Sequence, residues 1–246
     1  LFGKPLRSIF GSFEKTPNLA MKWFLDLFSS TLGRKLVMAL TGLFLISFLL
    51  IHLIGNLQLL KADGGQAFNV YAQFMTHNPL IKTVSYSLYA SILIHSAWAL
   101  MLTIQNRKAR GSVRYTVNSG KSATWSSRNM GILGTLLFIF IVIHMRDFWA
   151  QMHWGGIPTQ NYEGKEVKDL YAIVALAFTE GWYVALYVIC MIGLAFHLYH
   201  GFVSAFQTLG LNHMKYNPVI SFVGKTFSIV VPALFAWIPI SMFFKF

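Results

Sequence analysis

Acidic residues are scarce in this chain. Asp and Glu number 8 in 246 residues, against 20 Lys and Arg, and charged residues together make up 11%. A soluble globular chain carries about 25%. That deficit, a hydrophobic share of 55% and a mean hydropathy of +0.55 exclude an ordinary soluble domain. They predict an all-α integral membrane protein. Cysteine occurs once, as Cys190 inside an apolar run, so no internal disulfide forms. No internal repeat, no nucleophile–base constellation and no phosphate-cradling glycine loop stands out. No small-residue cleavage site follows the first apolar run, so no signal peptide is expected. The formal net charge of +12 is not a nucleic-acid signature. Most of the basic residues lie between apolar runs, where membrane topology accounts for them.

What is present is a series of five long apolar runs. Residues 1–35 form a basic amphipathic lead-in, with Met21–Ser30 reading as an interfacial helix that serves as a topological flank or a docking surface. The spans are Leu36–Leu60, Val84–Ile104, Met130–Phe148, Trp182–Phe206 and Val219–Phe244. Pro232 and Pro239 are expected to bend the fifth. Lys61–Lys82 reads as a polar loop with turns at Asp63-Gly64-Gly65 and Asn78-Pro79. Gln105–Arg128 reads as a basic loop without an acid, Trp149–Asp169 as a loop of balanced charge, and Leu170–Ala177 as an interfacial lead-in to the fourth span. The N-terminal segment and Gln105–Arg128 hold 12 of the 20 Lys and Arg residues. Five spans put both on one side, which the positive-inside rule makes cytoplasmic. The C-terminus then lies outside, and Trp149, Trp154 and Trp182 fall at the outer interface.

Each of the first four spans carries a histidine: His52, His95, His144 and His197. A single membrane histidine is more often a helix–helix hydrogen bond or a proton relay than a metal ligand. The depths of these four argue otherwise. His52 lies roughly 24 Å from the inner end of its span and His144 roughly 21 Å, at 1.5 Å per residue. His95 lies roughly 17 Å and His197 roughly 23 Å from the outer end, by the same rise. The histidines thus sort into an outer pair on spans one and three and an inner pair on spans two and four. Two imidazoles from different helices at one level are what a bis-histidine haem needs. The expectation is a five-transmembrane-helix bundle enclosing two haem b groups. His200, three residues beyond His197, is an alternative ligand on nearly the same face. His77, His153 and His213 fall in loops; His77 or His153 is placed to serve quinone chemistry. Gly42 and Gly193 allow close approach of a helix or a macrocycle.

With TGLFLISFLLIHLIGNLQL in the first span and AFHLYHGFVSAFQTLG in the fourth, the chain resembles a known family. That family is the dihaem cytochrome b membrane anchor of succinate dehydrogenases and fumarate reductases, in the single-chain form of menaquinone-using bacteria. The resemblance covers roughly residue 29 to the end. It implies that His197 rather than His200 is the ligand. It implies a bacterial cytoplasmic membrane, a flavoprotein and an iron–sulfur protein docked on the cytoplasmic face, and electron flow from succinate to menaquinone. The dicarboxylate chemistry belongs to those partners.

A quinone that takes two electrons also takes two protons and needs polar groups nearby. The resemblance favours the outer haem, which points to Asn56, Gln58, Lys61, Asn69, Tyr71 and Gln73. Ser30 and Arg34 at the start of the first span offer a rival inner quinone site or a contact to an inner haem propionate. Arg146 is placed for an outer propionate. If quinone is reduced at the outer face, an uncoupler is expected to slow succinate oxidation by intact cells but not fumarate reduction. Two other readings compete. One is the cytochrome b subunit of a hydrogenase, formate dehydrogenase or nitrate reductase, from which the SAFQTLG tail argues away. The other is a haem-free transporter using histidine proton relays, against which the lack of paired repeats and broken spans argues.

Overall fold

The computed structural model describes Lys22, Asp26, Phe28, residues 30–110 and residues 124–245, with Arg110 described by its backbone only. Most of the basic N-terminal segment, the expected interfacial helix included, and the centre of the basic loop lie outside the described residues.

Where the chain is described, local chemistry sets the helix ends. α1 runs Thr31–Asn56 and is closed at its start by Ser30, whose hydroxyl accepts from Gly33 N at 3.0 Å. A 3₁₀ turn over Leu57–Leu60 follows it. Asp63 accepts from Gly65 N and Ala67 N, both at 3.0 Å, and opens α2 over Gln66–His77. α3 is Pro79–Arg110. Its first turn is held by Asn78, whose side-chain oxygen accepts from Leu80 N and Ile81 N, with proline at the position that lacks a helical donor partner. α4 is Trp125–His144, capped by Thr124. A π-turn over Met145–Trp149 and a short α5, Ala150–Trp154, prolong it. A hairpin of β1, Thr159–Tyr162, and β2, Lys165–Lys168, comes next. Glu163 and Gly164 both take positive φ at its tip, which the right-handed twist of a two-residue turn demands. α6 is Leu170–Ala177, α7 is Gly181–Thr208 and α8 is Asn217–Phe243.

Five helical segments among the described residues are long and apolar enough to cross a membrane: Thr31–Leu60, Pro79–Ala109, Trp125–Trp154, Gly181–Thr208 and Asn217–Phe243. The chain is a multi-pass helical membrane protein. α1 and α7 are central: α1 touches α3, α7 and α8, while α7 also touches α4. Pro232 and Pro239 are both buried inside α8.

Three expectations need correction. Trp149–Asp169 is not a loop throughout. The π-turn absorbs Arg146 and Asp147 without ending the helix, and the hairpin follows. Lys61–Lys82 contains α2, which folds because Phe68 and Asn69 find a buried surface made by α6 and β2. Helix α3 starts five residues before Val84, where Asn78 and Pro79 supply the start.

α2, the hairpin and α6 form a cap over one end of the bundle. A cluster of buried apolar residues lies here. Leu53, Leu59, Phe68, Phe148, Met152, Tyr171, Val174, Phe178 and Ile238 are buried together. The cap is also tied by polar bonds. Asn69 is fully buried; its amide donates to Tyr162 Oη at 3.1 Å and Asp169 Oδ1 at 2.9 Å, and its oxygen accepts from Tyr171 N at 2.9 Å. Gln160 donates to Asp169 Oδ2 at 3.1 Å. Trp149 lies at this end and donates to Tyr89 Oη at 2.8 Å, while Trp154 and Trp182 are exposed.

Candidate functional site

The four histidines meet in two pairs. The rings of His52 on α1 and His144 on α4 have centroids 5.7 Å apart, nearly perpendicular at 89°. Those of His95 on α3 and His197 on α7 are 6.3 Å apart at 62°. These are the partners that the depth argument selects. Metal–imidazole bonds run about 2 Å, so two trans imidazoles on one metal hold their centroids roughly 6 Å apart. Both pairs match that spacing.

The pairs sit at different levels. His95 touches α1 at Thr41, 11 residues before His52, and His144 touches α7 at Tyr187, 10 residues before His197. Along either helix the separation is roughly 15 Å. The His52–His144 pair lies toward the capped end.

Each imidazole of the His52–His144 pair has a phenylalanine one turn earlier in its own helix. Phe48 stacks on His52 with centroids at 5.1 Å and Phe140 on His144 at 5.7 Å, while Phe235 of α8 closes a third side. These rings make the surroundings apolar. In the His95–His197 pair, a Cβ at Gly42 would stand 3.4 Å from His95 Cε1, so the glycine lets this imidazole lie close to α1. Gly193 does something different: a Cβ there would meet Leu136 Cδ2 at 2.8 Å, which places the glycine at the α4–α7 contact.

Hydrogen bonds decide which ring nitrogen is free. Thr41 donates its hydroxyl proton to the Val37 carbonyl at 2.7 Å. Its oxygen lies 3.1 Å from His95 Nδ1 and is left only to accept. His95 therefore carries its proton on Nδ1, and Nε2 keeps the lone pair that a metal requires. His144 Nδ1 lies 3.1 Å from Tyr187 Oη. Tyr187 Oη is 3.3 Å from Tyr183 Oη, which donates to Asp147 Oδ2 at 2.7 Å. His197 Nδ1 and the indole nitrogen of Trp98, one turn beyond His95, are buried with no hydrogen-bond partner among the described residues. Paired imidazoles with an indole donor close by fit a metal held between two histidines. Among the described residues no cluster of three or more His, Cys, Asp or Glu side chains forms.

The other expected residues lie as follows. His200 is half-buried, 3.3 Å from Ser204 Oγ, and not in the ring pair. His77, His153 and His213 are exposed. Arg146 is exposed and donates from Nε to Asp147 Oδ1 at 2.6 Å. Ser30 caps α1, and Arg34 is half-buried one turn on. Asn56 donates to the His52 carbonyl at 2.7 Å, and Gln58 to the Ile54 carbonyl at 3.4 Å. Tyr71 directs its hydroxyl toward the Ile51 carbonyl at 3.4 Å. Asn56, Gln58 and Tyr71 thus cluster around the last turns of α1, just beyond His52. Lys61 is exposed beside them, and Gln73 is half-buried on α2. Asn69 belongs elsewhere, with all three of its bonds inside the cap.

Thr41, Tyr183 and Tyr187 lie beside the paired histidines and were missed by pattern reading. For the two tyrosines a signal was available: hydroxyls in an apolar span must find partners, and Tyr183 and Tyr187 are one turn apart on one face. Comparison with family models, with curated proteins and with solved structures finds no match.

Proposed function

We propose that this chain is the dihaem cytochrome b membrane anchor of a succinate:quinone oxidoreductase, with His52 and His144 holding the outer haem b iron and His95 and His197 the inner one. The observation that carries the reading is the meeting of four histidines, from four helices, in two pairs at metal-sharing distance. Bound haem supplies one-electron transfer between the two faces of the membrane. Thr41 and Tyr187 orient His95 and His144. Phe48, Phe140 and Phe235 exclude water from the outer pair. Arg34 with Ser30 at the inner end, and Arg146 at the outer, are the groups offered to haem propionates.

In this reading the membrane is the bacterial cytoplasmic membrane, with the N-terminus inside and the C-terminus outside. A flavoprotein and an iron–sulfur protein dock on the cytoplasmic side and carry out the dicarboxylate chemistry. Quinone, of the menaquinone type, is handled beside the outer pair. Tyr71, Asn56 and Gln58 form the polar wall nearest His52, with Lys61 and Gln73 at its margin. The Asn69 side chain is engaged in the cap and supports the wall from behind.

Pyridine haemochrome on the purified complex tests the reading. Two haems b are expected per chain. His52→Ala and His144→Ala should each lose one haem, and His95→Ala and His197→Ala the other. A wild-type chain without haem overturns the proposal and moves the histidines to proton relay. Copurification of hydrogenase, formate dehydrogenase or nitrate reductase subunits overturns the choice of partner alone.

A further inference from the structure

Three hydrogen bonds join His144 to a carboxylate at the outer end of the bundle, and the carboxylate dictates the direction of all of them. Asp147 lies in the π-turn directly after His144, its side chain only 19% exposed. Both of its oxygens accept: Oδ1 from Arg146 Nε and Oδ2 from Tyr183. A carboxylate has no proton to give, so Tyr183 donates to it. A phenol has one proton, so Tyr183 can only accept from Tyr187, and Tyr187, its own proton committed, can only accept from His144. The remaining proton in the series is then on Nδ1 of His144, and Nε2 is left with its lone pair directed away from the chain. Tyr183 and Tyr187 are both buried, so water does not replace either member.

The π-turn is what makes the connection. One additional residue in that turn carries Asp147 round to the α7 side, where Tyr183 and Tyr187 are one turn apart. Arg146 holds the second oxygen and keeps the carboxylate from turning to solvent. The inner ligand His95 is oriented differently, by a threonine whose proton goes to a backbone carbonyl, with no charge in the series.

We propose that Asp147, acting through Tyr183 and Tyr187, is a positioning residue that fixes the tautomer of His144 and lowers the potential of the outer haem. The inference rests on the haem reading above. A ligand imidazole that donates from Nδ1 toward a carboxylate is a more basic donor from Nε2. Greater basicity favours the oxidised metal, and second-sphere hydrogen bonding of this kind is one of the protein's levers on haem potential.

The test is a spectroelectrochemical titration of the intact complex in detergent, resolving the two haems, for wild type, Asp147→Asn, Asp147→Glu, Tyr183→Phe and Tyr187→Phe. Tyr187→Phe keeps the ring and removes the link. Its outer-haem midpoint is expected to rise so that the reduced-to-oxidised ratio at a fixed potential grows about tenfold, ~59 mV for one electron. Asp147→Asn and Tyr183→Phe should move the same midpoint in the same direction by less, and Asp147→Glu should return it toward wild type. The inner midpoint should stay in place throughout. Loss of the outer haem alone from Tyr187→Phe also counts for the proposal. If Tyr187→Phe fails to assemble, Asp147→Asn at the partly exposed end decides. Two haems with an unmoved outer midpoint in every variant that assembles overturn the inference and leave the haem reading standing. A wild type without haem overturns both.

Discussion

Tyr71 packs the edge of its ring into the space that a Cβ at Gly55 would occupy. Gly55 lies three residues beyond His52 on α1, and Tyr71 lies on α2, so this contact sets how the cap meets the last turn before the outer pair. Gly55→Ala forces the ring away. Overpacking of this kind costs about 1–3 kcal/mol. The expected outcome is a lower thermal midpoint and slower quinone reduction, with the His52–His144 haem retained. Gly193→Ala is the matched comparison. There the obstructing atom is the end of the flexible Leu136 side chain, and little change is expected. Thermal denaturation followed by haem absorbance, with quinone-reductase rates, measures both.

If the proposed quinone site lies beside His52, Tyr71 is expected to donate to quinone. Burial pushes its phenol above the ordinary value of 10.0. It therefore keeps its proton across the working range of pH, and Tyr71→Phe should lower kcat/KM for quinone about tenfold. The wild-type to variant ratio should be flat from about pH 6 to pH 9. A ratio that bends inside that window would mean that another group donates. The same direction of shift has a stability consequence. Above pH 10 the unfolded phenol releases a proton that the folded one retains, so this contribution to stability falls as pH rises.

The spans and the pairing were legible because membrane depth is nearly one-dimensional. A histidine's distance from the end of an apolar run is countable, and His52 with His144 and His95 with His197 followed from it. What lay between the spans was less legible. Gln66–His77 mixes polar and apolar residues and is held where Phe68 and Asn69 meet the distant Tyr171, Asp169 and Tyr162. Arg146 and Asp147 read as the end of a span because charged residues usually are. Their mutual ion pair and the Tyr183 bond let the helix continue through a π-turn. Thr41 was hidden for the opposite reason: a threonine in a membrane helix can satisfy itself on a backbone carbonyl, so nothing in the local sequence shows that its oxygen also serves His95.

Asn69 tests the cap separately from the site. Asn69→Ala removes three hydrogen bonds at once and leaves buried Asp169 and the Tyr171 N–H underserved. An unsatisfied buried group costs about 1–3 kcal/mol. The variant should assemble with both haems, yet limited proteolysis should cut the segment between Tyr162 and Leu170 faster than in wild type. Loss of the outer haem would show instead that the cap is needed to hold the His52–His144 pair together.

Thr41→Val is the inner counterpart of the Tyr187 experiment. Valine has the shape of threonine, so α1 keeps its packing against α3, but His95 Nδ1 loses the Thr41 hydroxyl that accepts from it. With that acceptor gone the proton can relocate to Nε2, which in the haem reading proposed above removes the lone pair that an iron at this pair would need. The expected result is a raised inner midpoint or a lowered inner haem content, with the outer haem unchanged in both respects. Thr41→Ser keeps a hydroxyl able to donate to Val37 and accept from His95, and should restore the wild-type midpoint. Redox titration resolves the two haems, so one sample supplies its own control. If Thr41→Val moves the outer haem as much as the inner, the two sites are coupled through packing rather than held by separate hydrogen bonds. The serine variant distinguishes these cases, because the hydroxyl returns while the methyl does not.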